Sequence, residues 1–229
     1  MNRGIRCLLV GAFAIGLALS SYASGPTTVN WGAEDFTAFA LYDGTPLPVG
    51  NLIEVGVATS PSGGGPFLTP SGNLAAIGFT AFGTGHIGDG LLPAGFAGES
   101  TSGDDTGFAH QQIYLVAFNA STAAAATQIG VWSVDFTSAN PNAAAWRFAA
   151  STDFPNTTTI DLEDLTSSPG TGNAPLASGA HIWLGTGTTA DVNGNFRLTG
   201  IPEPSTYALV ATGLVGLLGL RRRAKEGTI

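Results

Sequence analysis

The chain has 229 residues, 44% hydrophobic and only 10% charged, with 16 acidic residues against 8 Lys and Arg and a net charge of −8. An acid excess without a basic stripe repels phosphates and argues against any nucleic-acid role. The only cysteine, Cys7, falls in the first ten residues, so the remainder has neither a disulfide framework nor a thiolate metal site.

Residues 1–23 read as a secretory signal peptide. Arg3 and Arg6 form the positive start, Leu8 through Leu19 the apolar stretch, and Ser21-Tyr22-Ala23 a small-x-small cleavage site. Cys7 precedes the apolar stretch, unlike a lipoprotein acylation site, and leaves with the leader. Residues 24–200 then form one extracytoplasmic domain, long enough for a single substantial core. Six of the eight Lys and Arg lie in the two ends, leaving Arg147 and Arg197 in this body. Of the 16 acidic residues only Glu203 and Glu226 lie outside it, so it carries 14 acids against 2 bases, a net of −12.

Hydrophobic periodicity in the body is that of strands. Residues 36–42 alternate before the turn Asp43-Gly44-Thr45-Pro46. Ile53, Val55 and Val57 alternate with Glu54, Gly56 and Ala58, and residues 60–66, rich in Gly, Ser and Pro, are a loop. Residues 74–82 predict a strand and residues 83–107 a long Gly-rich excursion. Residues 112–118 are apolar on both faces, as in a central strand. Further strands are expected at 129–136, with Trp132, Val134 and Phe136 on one side, and at 146–148, where two aromatics flank Arg147. Others are expected at 160–163, 181–184 and 195–198. No helical pattern of 12 residues interrupts them, and residues 122–127 are too short to persist as a helix. About nine short strands separated by turn residues predict an all-β fold, an antiparallel β-sandwich of jelly-roll type or similar.

Several constellations bear on chemistry. Gly83-Thr84-Gly85-His86-Ile87-Gly88 matches G-x-G-x-x-G, but Gly90, Pro93, Gly95 and Gly98 forbid the helix that a dinucleotide site requires, so the match is attributed to a Gly-rich loop. Asp191-Val192-Asn193-Gly194-Asn195 opens like a calcium loop, yet the position for the bidentate Glu is Pro202, and Asn193-Gly194 fits a hairpin turn better. The candidate Ca²⁺ ligands are Asp104, Asp105, Asp161, Glu163 and Asp164, since clustered carboxylates repel until a cation neutralises them; the competing reading is solvated acidic loops. His86, His110 and His181 lack metalloprotease spacing, no serine sits in a G-x-S-x-G elbow, and a body without lysine has neither a P-loop nor a Schiff-base lysine. No enzyme and no cofactor is therefore expected. A glycosidase, which needs only two carboxylates at the right separation, is the remaining catalytic alternative. Trp31, Trp132, Trp146, Trp183, Tyr42 and Tyr114 are candidates for sugar stacking or for core filling, and His181 with Trp183 share one strand face of glycan-binding character.

Residues 201–229 are an address. Pro202 and Pro204 hold Ile201-Pro202-Glu203-Pro204 stiff and extended, a segment a processing enzyme could grip. The following 14 residues, from Tyr207 to Leu220, carry no charge and span ~21 Å as a helix; starting near 205 and letting Arg221, Arg222 and Arg223 snorkel brings this close to a bilayer core. A transmembrane helix over about 205–220 is predicted, with the arginines marking a cytoplasmic tip and the body outside.

The order Pro202-Glu203-Pro204-Ser205-Thr206, apolar helix, arginine cluster resembles the PEP-CTERM sorting signal of exported proteins of Gram-negative bacteria. The resemblance covers about an eighth of the chain. It implies recognition at the cytoplasmic membrane by an exosortase-type enzyme that cuts near the Pro-Glu-Pro step and releases or transfers the upstream protein. The resulting expectation is a surface or extracellular-matrix protein with a non-catalytic structural role, associated with extracellular polysaccharide. The alternatives are a carbohydrate-binding or adhesive module and, after that, a glycan-active hydrolase.

Overall fold

The computed structural model describes residues 26–33, 37–58, 78–167, 175–184 and 195–201. The expected leader at 1–23, the loop at 60–66, the hairpin turn at Asn193-Gly194, the transmembrane helix at 205–220 and the arginine cluster lie outside them. No helix of the described residues is long and apolar enough to cross a membrane.

The described chain is almost entirely strand and turn. In order it forms β1 (Thr27–Ala33), β2 (Phe39–Ala40), β3 (Leu52–Ala58), β4 (Phe79–His86), β5 (Ala97–Gly103), β6 (Tyr114–Phe118) and β7 (Gln128–Val134), followed by β8 (Thr157–Asp161), β9 (Ala180–Leu184), β10 (Phe196–Arg197) and β11 (Thr199–Gly200). Its helical pieces are 3₁₀ turns of three or four residues. A small sheet has the order β5-β1-β8. A larger one runs β11-β7-β6-β3-β4, with β9 also on β7, next to β11. Pairing is mostly antiparallel as expected, but β1 with β8 and β10 with β2 run parallel, which short-range periodicity does not encode.

The sheets share a core. Val29, Trp31 and Ala33 of β1 and Ile160 of β8 pack in one cluster with Ile53, Val55, Leu115, Ala117, Trp132 and Val134 of the larger sheet. Phe196 and Leu198, fully buried near the C-terminal end of the described chain, join the same cluster. Gly83 and Gly85 belong to this packing: a Cβ on Gly83 would overlap Thr101, and one on Gly85 would overlap Glu99, both on β5. The G-x-G pair thus brings β4 close to β5, while Gly88 and Gly90, at φ 86° and 73°, shape the following turn. No long helix follows, as the glycines and proline there dictate.

β3 and the strands at 114–118, 128–134 and 180–184 match the sequence expectations to within a residue or two at each end, whereas the expected excursion at 83–107 holds the second half of β4 and all of β5. Of the described part of the expected strand at 36–42, residues 37–42, only Phe39–Ala40 forms a strand, and Leu41 to Thr45 close a turn through a Leu41 N–H to Thr45 O bond of 2.8 Å. The stretch at 146–148 keeps its alternation, Trp146 and Phe148 buried and Arg147 exposed, but follows a 3₁₀ turn and pairs only through a bridge to Gln112. Gln112 ties this corner together: its Nε2 donates to the carbonyls of Ile113, Val134 and Trp146 at 3.1, 2.7 and 3.1 Å.

Candidate functional site

Alternation in β6, β7 and β9 places a second set of side chains on the outer face of the larger sheet. Leu52, Tyr114, Val116, Phe118, Ile129 and Val131 form a buried apolar cluster there, and Trp183 packs against it. His181 and Trp183 share this face because residues i and i+2 of a strand point the same way. Their rings lie 5.0 Å apart, inclined by 33°, and Trp183 is 6.3 Å from the ring of Tyr114. The Trp183 indole Nε1 donates to Ser133 Oγ on β7 at 2.7 Å, which fixes the ring plane across the sheet. Trp183 is half-buried and His181 exposed, whereas Trp31, Trp132 and Trp146 are core.

The electrostatics of the patch follow from its position. Burial, helped by the Asp135 carboxylate, pushes the Tyr114 phenol up, so it stays neutral through the physiological range. Asp135 is held below the usual carboxylate range by the Thr137 amide and hydroxyl, at 2.8 and 2.7 Å, with a smaller contribution from His181. The result is a half-buried indole, fixed from beneath by the buried Ser133 and Tyr114, with the exposed His181 imidazole and the half-buried Asp135 carboxylate beside it, a combination that suits stacking on a sugar ring and bonding to its hydroxyls. Ser133 and Asp135 were missed in the sequence; only the place of Ser133 near the end of β7 and of Asp135 just past it, beside β9, gives them a part, and that adjacency is tertiary.

The acidic candidates are arranged differently. Asp104 Oδ1 accepts the Thr106 amide at 2.7 Å, and Asp105 Oδ2 accepts the Ser151 amide at 2.8 Å. Asp161 and Asp164 close a reciprocal capping box around residues 162–165: Asp161 Oδ1 accepts the Glu163 amide at 2.7 Å, and Asp164 Oδ2 accepts the Asp161 amide at 3.1 Å. Asp164 Oδ2 also accepts Trp146 Nε1 at 2.9 Å, and its Oδ1 accepts Asn142 Nδ2. Burial pushes the Asp164 carboxyl up, against the pull of these three donors. Among the described residues no group of three or more His, Cys, Asp or Glu is placed to hold a metal ion. His86 lies beside Asp89 at 3.5 Å and His110 beside Asp153 at 3.7 Å, each remote in sequence from His181.

The Pro-Glu-Pro step of the sorting segment begins directly after the last described residue. Thr199 and Gly200 pair with Ile129 and Gln128 on β7, and the Ile201 amide donates to Thr127 O at 2.7 Å. Pro202, Glu203, Pro204, Ser205 and Thr206 follow immediately and, with Arg221, Arg222 and Arg223, lie outside the described residues. A family model described as the PEP-CTERM protein-sorting motif matches residues 200–223, which takes in all of the residues on which the resemblance rested. The motif implies an exported, exosortase-targeted protein that passes through a membrane-anchored intermediate to the cell surface. No curated protein and no solved structure matches the chain.

Proposed function

We propose that this protein is exported behind a cleaved leader, held in the cytoplasmic membrane by residues 205–220, cut by an exosortase-type enzyme, and delivered to the cell surface or extracellular matrix as a non-catalytic structural component. The observation that carries this reading is the sorting-motif match at 200–223 directly abutting an all-β body that needs no cysteine. Strand ladders and a shared core hold that body, so it is stable outside the cell without disulfides. Deleting Arg221, Arg222 and Arg223 removes the topological stop, and processing and surface delivery are expected to fail. Intact-mass analysis of protein from envelope and medium reads both cut sites and any attached group; unchanged mass and location after the deletion would refute the assignment.

A second reading, a carbohydrate-binding or adhesive module, is favoured by the Trp183 patch. A half-buried indole held by Ser133, with His181 at 5.0 Å, is a preformed stacking surface. Trp183→Ala is expected to lower glycan-array binding at least about tenfold while leaving export intact, because the indole supplies most of the apolar contact area of the patch. Binding unchanged by that substitution sinks the module reading and leaves the structural one standing.

A further inference from the structure

The junction between body and tail has no slack. The Ile201 amide is bonded to Thr127 O at 2.7 Å, Thr199 and Gly200 are paired with β7, and the Pro-Glu-Pro step starts at the next residue. Immediately before Thr199 the chain is anchored in the core. Leu198 and Phe196 are fully buried, and their amides donate to Ala40 O and Ala38 O at 2.8 and 2.9 Å. An enzyme that cuts a peptide takes an extended run of residues on both sides of the bond, and segments paired into a sheet are reached only when they open. Between Leu198 and Pro202 only three residues are available to open.

We propose that Thr199, Gly200 and Ile201 form a clasp that must peel from β7 before the tail is cut, with Leu198 as the stop that keeps the body folded while it does. The inference rests on the reading of the tail as a processed sorting signal and adds a determinant of that processing. The cut moves the upstream acyl group from the departing amine to water or another nucleophile; the clasp decides only when that bond is reachable. Its place at a sheet end suits it to opening, because short terminal segments fray at far smaller free energy than core strands. A folded body therefore presents the motif in pulses, and after cutting the three residues re-pair with β7.

The pairing supplies its own test. Because Ile201 and Thr127 are a hydrogen-bonded pair, Gly200 and Gln128 form the alternate, non-bonded pair, with Cα atoms ~4.5 Å apart and within disulfide range. A Cβ on Gly200 meets open space. The double variant Gly200→Cys, Gln128→Cys, in a Cys7→Ser background, locks the clasp when oxidised. In native cells, tail removal from the oxidised form is expected to fall at least about tenfold and to return to the rate of the unlocked chain on adding reductant. Using the reduced form as control removes the effect of losing the Gln128 Oε1 bond to the Tyr42 amide. Inserting six Gly and Ser residues between Ile201 and Pro202 of the locked chain is expected to restore cutting without reductant. A mass-verified disulfide with undiminished cutting, or a spacer that leaves the locked chain uncut, overturns the clasp. A parent chain whose tail is never cut removes the processing reading, and the clasp with it.

Discussion

Asp164 joins the buried indole of Trp146 to the turn at 162–165, and replacing it tests how the fold uses its acids. In Asp164→Ala, Trp146 Nε1, on a fully buried side chain, loses its acceptor at 2.9 Å and the Asp161 amide loses its cap at 3.1 Å. A stranded buried donor costs about 1–3 kcal/mol and a lost cap about 0.5–2 kcal/mol, while relief of a desolvated carboxylate returns part, for a net loss of about 1–4 kcal/mol. Asp164→Asn keeps an acceptor for Trp146 and is expected to lose about 1 kcal/mol or less. Urea unfolding at constant slope reads both. The pH dependence has a definite sign. Burial raises the folded pKa of Asp164, so its contribution is full below the unfolded value, near pH 4, and is lost as pH rises through the folded one. The parent should therefore gain on Asp164→Asn as pH falls. An Asp164→Ala protein within ~0.5 kcal/mol of the parent would refute the reasoning, since no buried donor would then have been stranded.

Gly130 lies under Trp132, where an added methyl would overlap the indole ring. Gly130→Ala is expected to destabilise by about 1–3 kcal/mol and to shift tryptophan fluorescence; an unchanged unfolding midpoint would show that the ring moves freely. Asp43, Asp104 and Asp135 have lowered pKa values because each accepts the amide and hydroxyl of the threonine two residues on. Replacing all three by Asn should give a stability difference from the parent that is largest near neutral pH and fades as pH falls through the lowered values, opposite in sign to the Asp164→Asn profile. Parallel pH profiles for the two variants would contradict the assignment.

The strands that bury one or both faces were readable because apolar residues mark them. Ile53 with Val55 and Trp132 with Val134 announce their strands by alternation. β5 was hidden: Ala97-Gly98-Glu99-Ser100-Thr101-Ser102-Gly103 carries little apolar signal, since its inward residues Glu99 and Thr101 pack against the glycines of β4. β1 was absent from the expected strands although Val29, Trp31 and Ala33 alternate with Thr28, Asn30 and Gly32, and its parallel partner β8 lies over a hundred residues away. His181 and Trp183 were legible as a shared face. Their neighbours Tyr114 and Ser133 come from strands whose register only the folded sheet defines.

The acidity of the body has a local cause that constrains its partners. Asp43, Asp104 and Asp135 each accept the amide of the residue two positions on, at 2.9, 2.7 and 2.8 Å, and Asp161 does the same for Glu163 at 2.7 Å. Such turns use the carboxylate as a backbone acceptor, so charge accumulates as a by-product of turning the chain many times. Without lysine, and with only Arg147 and Arg197 as bases, nothing balances it. A body of net −12 is repelled by anionic lipid headgroups and by acidic polymers alike, most strongly at low salt. For the second reading of function, the same repulsion selects a neutral polysaccharide over an acidic one, because stacking on Trp183 would have to overcome it for every acidic sugar bound.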